Sequence, residues 1–184
     1  MPKKLLLHIC CAPDATIPWP EFTAEGFETT GYFYGSNIHP EEEYKKRLEA
    51  LNILKVFVRA SVVLPEYEPS AWFSRAEQFA KEPEGGKRCE VCFGTQLEAA
   101  ARYAAENGFD AVSTTLTISP HKNVALINKI GAETAKKYGV EWIERIWRKN
   151  NGFKRSVEES RRLGLYRQNY CGCIYSRRDE GEEQ

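Results

Sequence analysis

Residues 4–14 read Lys4-Leu5-Leu6-Leu7-His8-Ile9-Cys10-Cys11-Ala12-Pro13-Asp14. Residues 4–10 form an apolar run of the length expected for a buried strand. It ends on two adjacent cysteines, and Cys11 to Pro20 follow as a proline-punctuated loop. Residues 28–38 are rich in Thr, Tyr and Phe, as strands are. His39-Pro40 then leads into an acidic first turn and a helix in which Tyr44, Leu48 and Leu51 share one face. A third short strand is expected over 60–64 and a helix over 69–80. The clearest helix spans 89–107 and stops at Asn107-Gly108. A strand over 109–115, a helix over 122–138 ended by Gly139, and a strand over 140–146 complete the pattern. Two basic segments follow, then an acidic tail expected to be disordered over 179–184.

Strands alternating with helices of this length predict βαβ units and an α/β fold with a doubly wound, mainly parallel sheet. Residues 1–178 are expected to form a single catalytic domain. Ligands of such sheets sit beyond the carboxyl ends of the strands. Cys10, Cys11 and Asp14 follow the first strand there, Asn37 and His39 the second, and Thr115, Ser119 and His121 the strand that starts near 109.

A chain of 184 residues with 42% hydrophobic and 28% charged side chains can bury a core of its own, which excludes disordered and collagenous classes. No stretch approaches the roughly 20 apolar residues of a membrane span, so no membrane partner is expected. Lys3 and Lys4 before three leucines imitate a signal peptide, but His8 breaks the run short of the roughly 7–15 residues that a leader needs. The expected location is the cytoplasm, where thiols stay reduced.

The six cysteines fall in three pairs: Cys10-Cys11, Cys89 with Cys92, and Cys171 with Cys173. Pairing at three loci disfavours simple core filling, and a reducing setting disfavours disulfides. Cys89 and Cys92 open a helix, whose dipole favours thiolates. Gly172 removes a side chain between the last two cysteines, where a metal needs close approach. Spacing alone leaves two readings open. Zinc takes four ligands, and so does a four-iron cluster. Six thiolates leave two spare, which with Asp14 can hold a second metal.

The chain also carries His8-x-Cys10-Cys11-Ala12-Pro13, then Asn37-Ile38-His39-Pro40 with Glu43-Tyr44 and Arg47, then Gly85-Gly86-Lys87-Arg88-Cys89 with Cys92. Further on come Thr114-Thr115-Leu116 with Ser119-Pro120-His121-Lys122, and Tyr166-Arg167-Gln168-Asn169-Tyr170-Cys171-Gly172-Cys173. From about residue 4 to 176 this series resembles the QueH-type epoxyqueuosine reductase family. The resemblance implies a nucleotide α-hydrolase (HUP-like) type of sheet. It implies an oxidoreductase that reduces epoxyqueuosine to queuosine in tRNA, the last step of queuosine biosynthesis, without cobalamin. It further implies a [4Fe-4S] cluster, an additional iron ion and an external low-potential electron donor. Many members continue the first motif as CCAPC. Here Asp14 stands in place of that last cysteine, which implies a mixed thiolate/carboxylate second site.

All six cysteines and Asp14 are expected metal ligands. Cys10, Cys89, Cys92 and Cys171 are assigned to the cluster, with Cys11 and Asp14 catalytic at the second metal. This assignment separates the adjacent Cys10 and Cys11. Asn37, His39, Lys122, Arg167, Gln168 and Tyr170 are expected substrate contacts. For His39 and His121 a ligand or proton-donor role competes with an ordinary hydrogen-bonded loop role, and for Lys122 phosphate binding competes with a solvated role. His8 reads as a packed histidine. Tyr166, Tyr170 and Tyr175 either stack on a splayed base or pack the C-terminal segment.

Two other functions compete. A tRNA thiolase of the ATP-pyrophosphatase type needs a Gly/Ser-rich phosphate loop after the first strand. A zinc-stabilised RNA-binding module needs fewer cysteines. The formal net charge is zero, but residues 145–178 hold ten basic and two acidic side chains, a plausible phosphate-binding stripe beside Cys171 and Cys173. Overall neutrality therefore does not exclude tRNA.

Overall fold

The computed structural model describes residues 1–177. The tail expected to be disordered, 179–184, lies outside the described residues. Five parallel strands form one sheet in the order β3-β2-β1-β4-β5. They are β1 (Lys4–His8), β2 (Glu28–Tyr32), β3 (Val62–Val63), β4 (Ala111–Thr114) and β5 (Glu141–Trp142). The order runs outward both ways from β1, so the topological switch point lies between β1 and β4.

Alternation along β1 decides which layer covers which face. Leu5, Leu7 and Ile9 pack with Trp19, Phe22, Leu51 and Leu54. These come from α2 (Pro18–Ala24) and α3 (Glu41–Val58). Leu6 packs on the other face with Ala100 and Ala104 of α5 (Lys87–Glu106). Burial on both faces is why β1 reads as an unbroken apolar run. The helix α6 (Val124–Tyr138) lies close against β5, where a Cβ on Gly131 would meet the Trp142 ring at 2.3 Å. Asn123 caps α6 through the Leu126 N–H.

The sequence expectations need correcting in several places. The loop expected over 11–20 is two short helices, α1 (Ala12–Ala15) and α2. Pro13 and Pro18 occupy their first turns, where a missing N–H costs nothing, so prolines that read as loop punctuation start helices instead. β2 ends at Tyr32, short of 38, because the chain turns at Tyr34–Gly35–Ser36. β5 covers two residues of the 140–146 expected. The helix expected over 69–80 is α4 (Pro69–Ala76) closed by a 3-10 turn, and the first basic segment contributes α7 (Gly152–Arg162).

Glu98 of α5 ties three helices together. It accepts from Lys137 at 2.6 Å and Tyr138 at 3.2 Å on α6, and from Arg75 of α4 at 2.8 Å. These bonds, Lys137 first, pull its carboxyl pKa down to about 2. The pKa is lower folded than unfolded, so the stabilisation is full above about pH 4.5 and is lost as pH falls toward 2. Solvent screens this part-exposed cluster, which holds the gain to about 1 kcal/mol. Glu98→Gln should therefore cost about that much in urea melts at pH 7 and almost nothing near pH 2.

Candidate metal centre

The switch point opens into a cavity of about 520 Å³. Cys10, Cys89, Cys92, Cys171 and Cys173 line it, with Cys11 buried just behind. All six thiols are free.

The first group is built at the end of β1. Cys11 sits in extended conformation as the N-cap of α1, and Asp14 is buried in that helix's first turn. Cys10 Sγ donates to Asp14 Oδ2 at 3.3 Å, and its backbone N–H donates to Thr115 Oγ1 at 3.3 Å, beyond the end of β4. The ligand atoms of Cys10, Cys11 and Asp14 lie within 4.8 Å of one another, a grouping the described residues show here alone. Hydrogen bonding with Cys11, then burial, then the charges of Cys11 and Asp14, push the Cys10 thiol well up. Two sulfurs and a carboxylate gathered this closely are a donor set that a metal cation can bridge. The ligand atoms of Cys10, Cys11 and Asp14 thus stand together at the end of β1.

The second group faces it. Cys89 and Cys92 lie in the first two turns of α5. Gly85, at φ +87°, takes the left-handed conformation that aims its N–H at Cys89 Sγ, 3.2 Å away. Burial raises the Cys89 thiol, and it raises that of Cys92 further, with the charge of Cys171 adding to the latter.

The Cys171-Gly172-Cys173 loop is held from α3. Arg47, buried, donates to the carbonyls of Cys171 at 2.9 Å and Tyr170 at 3.1 Å, and through Nε to Glu43 at 2.8 Å. Glu43 also accepts from the Tyr166 hydroxyl at 2.8 Å. Gly172, at φ +139°, lets the guanidinium approach, since a Cβ there would stand 3.1 Å from Arg47 Nη1.

Of the expected substrate contacts, Asn37, Lys122, Arg167, Gln168 and Tyr170 line the cavity. His39 stands behind the wall instead. Its Nδ1 accepts from the Ile174 N–H at 3.3 Å, and its Nε2 donates to the Ser36 carbonyl at 3.1 Å. His121 also reaches the cavity. His8 is fully buried against Thr114 Oγ1 at 2.9 Å, and burial lowers its pKa to about 4. Tyr166 and Tyr170 give their hydroxyls to Glu43 and the His39 carbonyl, Tyr175 packs beside Trp72, and Tyr170 also lines the cavity. Gln168 Oε1 is buried and has no protein partner among the described residues.

Lys122 enters the cavity just before α6. Burial works against its charge, but Cys171, Cys10, Asp14 and Cys11 outweigh it and keep the ammonium protonated. The basic stripe is partly spent on ion pairs: Arg145 with Glu25, Arg155 with Glu21, Arg162 with Glu159.

Sequence reasoning gave no role to Trp72 or Gln96, which touch the Cys92 sulfur. It quoted Arg47 without a task. The one available signal was Glu43 and Arg47 at i,i+4 spacing.

The model of the "Epoxyqueuosine reductase QueH" family matches residues 5–179. The chain belongs to the epoxyqueuosine reductase QueH family. Curated relatives of that name include a Streptococcus pyogenes protein, 38% identical over 97% of this chain and 72% of its own length. The Histophilus somni relative is 42% identical over 96% of this chain and 73% of its own. The Thermotoga maritima relative is 39% identical over 94% and 89%. The QueH family is thus one of oxidoreductases, and this chain is an enzyme of that class. Among solved structures, the U34-tRNA thiolase NcsA from Methanococcus maripaludis, determined with its [4Fe-4S] cluster, aligns with a TM-score of 0.58 at 13% identity. The alignment covers 95% of this chain, which spans 60% of the thiolase, and shows a shared fold. No helix among the described residues is long and apolar enough to cross a membrane.

Proposed function

We propose that this chain reduces the epoxide of epoxyqueuosine, carried in tRNA, to the alkene of queuosine, completing queuosine biosynthesis in the cytoplasm. The observation that carries this reading is the convergence of six free thiols and Asp14 on one cavity at the switch point of a QueH-family sheet.

The donor sets fit two metal groups. Ligand atoms on one first-row ion stand about 3.3–3.8 Å apart at bond lengths near 2.0–2.3 Å. The Cys10, Cys11 and Asp14 set, within 4.8 Å, suits a single iron. Cys89, Cys92, Cys171 and Cys173 supply the four thiolates of a [4Fe-4S] cluster. When bound, these groups supply electrons one at a time and a Lewis acid for oxygen. Releasing the epoxide oxygen as water takes two electrons, from an external low-potential donor, and two protons. No cobalamin enters.

The remaining work falls to side chains of this chain. Lys122 offers its ammonium to the oxygen as negative charge develops there. Gln168 Oε1 and Asn37 present amides for the hydroxyls and N–H groups of the modified nucleoside. Arg167 on the cavity rim suits a phosphate. A thiolase reading is disfavoured by the loop after β1, Cys10-Cys11-Ala12-Pro13-Asp14, which has no glycine to cradle pyrophosphate.

Anaerobically reconstituted protein, given epoxyqueuosine-containing tRNA and a low-potential reductant without ATP, should yield queuosine in the tRNA digest. No queuosine despite a full iron and sulfide complement defeats this reading. A strict ATP requirement favours the thiolase. Full activity with zinc alone rejects the iron assignment.

A further inference from the structure

The four thiols of the second group differ in their neighbours. Cys92 Sγ accepts two hydrogen bonds, from Trp72 Nε1 at 3.2 Å and Gln96 Nε2 at 3.1 Å. Cys89 Sγ accepts one, from the Gly85 N–H. Cys173 Sγ stands 3.5 Å from the Ser176 hydroxyl, and Cys171 Sγ has no recorded donor among the described residues.

Trp72 is the informative partner. An indole N–H can only donate. Trp72 is fully buried, so this donor must be satisfied inside the protein, and the acceptor it meets is a sulfur. A neutral thiol is a weak acceptor, and a thiolate is a strong one. The Gln96 amide, also buried, points a second donor at the same atom. The indole is itself fixed by ring contacts, with His39 at 5.0 Å, Phe73 at 5.3 Å and Tyr175 at 6.3 Å between centroids. This packing explains why the donor cannot swing away to another acceptor.

We infer that Trp72 and Gln96 set the reduction potential of the cluster by donating two hydrogen bonds to the Cys92 thiolate. The inference rests on the four-iron cluster proposed above and goes beyond it, because it assigns tuning to two residues outside the proposed metal ligands. Adding one electron to the oxidised cluster makes its sulfurs more negative. Donors aimed at a sulfur then stabilise the reduced form more than the oxidised form, and the potential rises. Hydrogen bonds to sulfur are among the main determinants of cluster potential. Trp72 and Gln96 are therefore positioning residues, acting on electron supply through Cys92.

The test is a potentiometric titration of the reconstituted protein, followed by the electron paramagnetic resonance signal of the reduced cluster. Iron and acid-labile sulfide are counted on the same samples. Trp72→Phe keeps a ring in the stack and removes the N–H. Gln96→Met keeps the volume and removes the amide. Each should lower the midpoint potential at full cluster content, and the double variant should lower it further. Trp142→Phe, whose N–H goes to the Asn128 side-chain oxygen at 3.2 Å and to no sulfur, should leave the potential in place. Should Trp72→Phe fail to fold, Gln96→Met decides alone. An unchanged or raised potential in loaded variants overturns the inference and leaves the cluster standing. A wild-type protein that takes up no four-iron cluster overturns both.

Discussion

Replacing Lys122 by Met should lower turnover about 10²–10³-fold, with iron and sulfide content unchanged. That is the typical cost of removing one preorganised donor from a developing oxyanion. Lys122 qualifies for three reasons. It faces the cavity between the two cysteine groups, since Cys171 acts on it from one and Cys10 and Cys11 from the other. Their charge favours the ammonium against the opposing effect of burial. Among the described residues no carboxylate pairs with its Nζ, in contrast with Lys137 or Lys154, each of which meets a glutamate. A donor that the protein leaves unspent beside the proposed metals is free for substrate. The loss should fall on kcat more than on KM, because the charge it meets develops in the transition state. Lys122→Arg, which keeps the cation, should retain part of the rate. Steady-state kinetics on epoxyqueuosine-tRNA decides, and an unchanged kcat in Lys122→Met removes Lys122 from the mechanism.

Replacing Arg47 by Met should destabilise the fold by about 3–5 kcal/mol, the usual cost of breaking a buried ion pair on one side. The substitution strands Glu43 and deprives the Cys171 and Tyr170 carbonyls of their donors. For a chain of this size the melting temperature should drop on the order of 10 °C. Removing both charges, as Glu43→Gln with Arg47→Met, should recover part of the loss, since no buried charge is then left alone. Because Arg47 alone pins two carbonyls of the cysteine loop, the single variant should also lose iron faster to a chelator. Denaturant melts and chelator kinetics measure the two effects, and a cost under about 1 kcal/mol shows the ion pair to be incidental.

Much of the fold was legible because its signals are local. The apolar run over 4–10 is consistent with a buried strand, and Gly139 after Tyr138 reads as a helix stop. What escaped depended on context. Pro13, Pro18 and Pro20 look alike as loop breakers and as first-turn residues, and the local sequence does not say whether a helix follows. β3 and β5 shrink to two residues each, since pairing partners, not propensity, set strand ends. In the site, the three cysteine pairs announced themselves by spacing. Grouping Cys10 with Cys11 did not, because it needs the turn into α1 and the approach of Thr115. Trp72 and Gln96 were invisible for the same reason. Nothing near Trp72 in sequence says that its N–H meets a sulfur 20 residues away.

The last two thiols belong to a segment that follows the final strand. Once Trp142 has been added, every strand of the sheet exists, yet the centre still lacks Cys171 and Cys173. The strand scaffold and the helices that precede β5 therefore present four of the six thiols, and the C-terminal segment brings the other two. Arg47 ties that segment to α3 through the Tyr170 and Cys171 carbonyls. Completion of the centre thus depends on a segment that contributes no strand to the sheet.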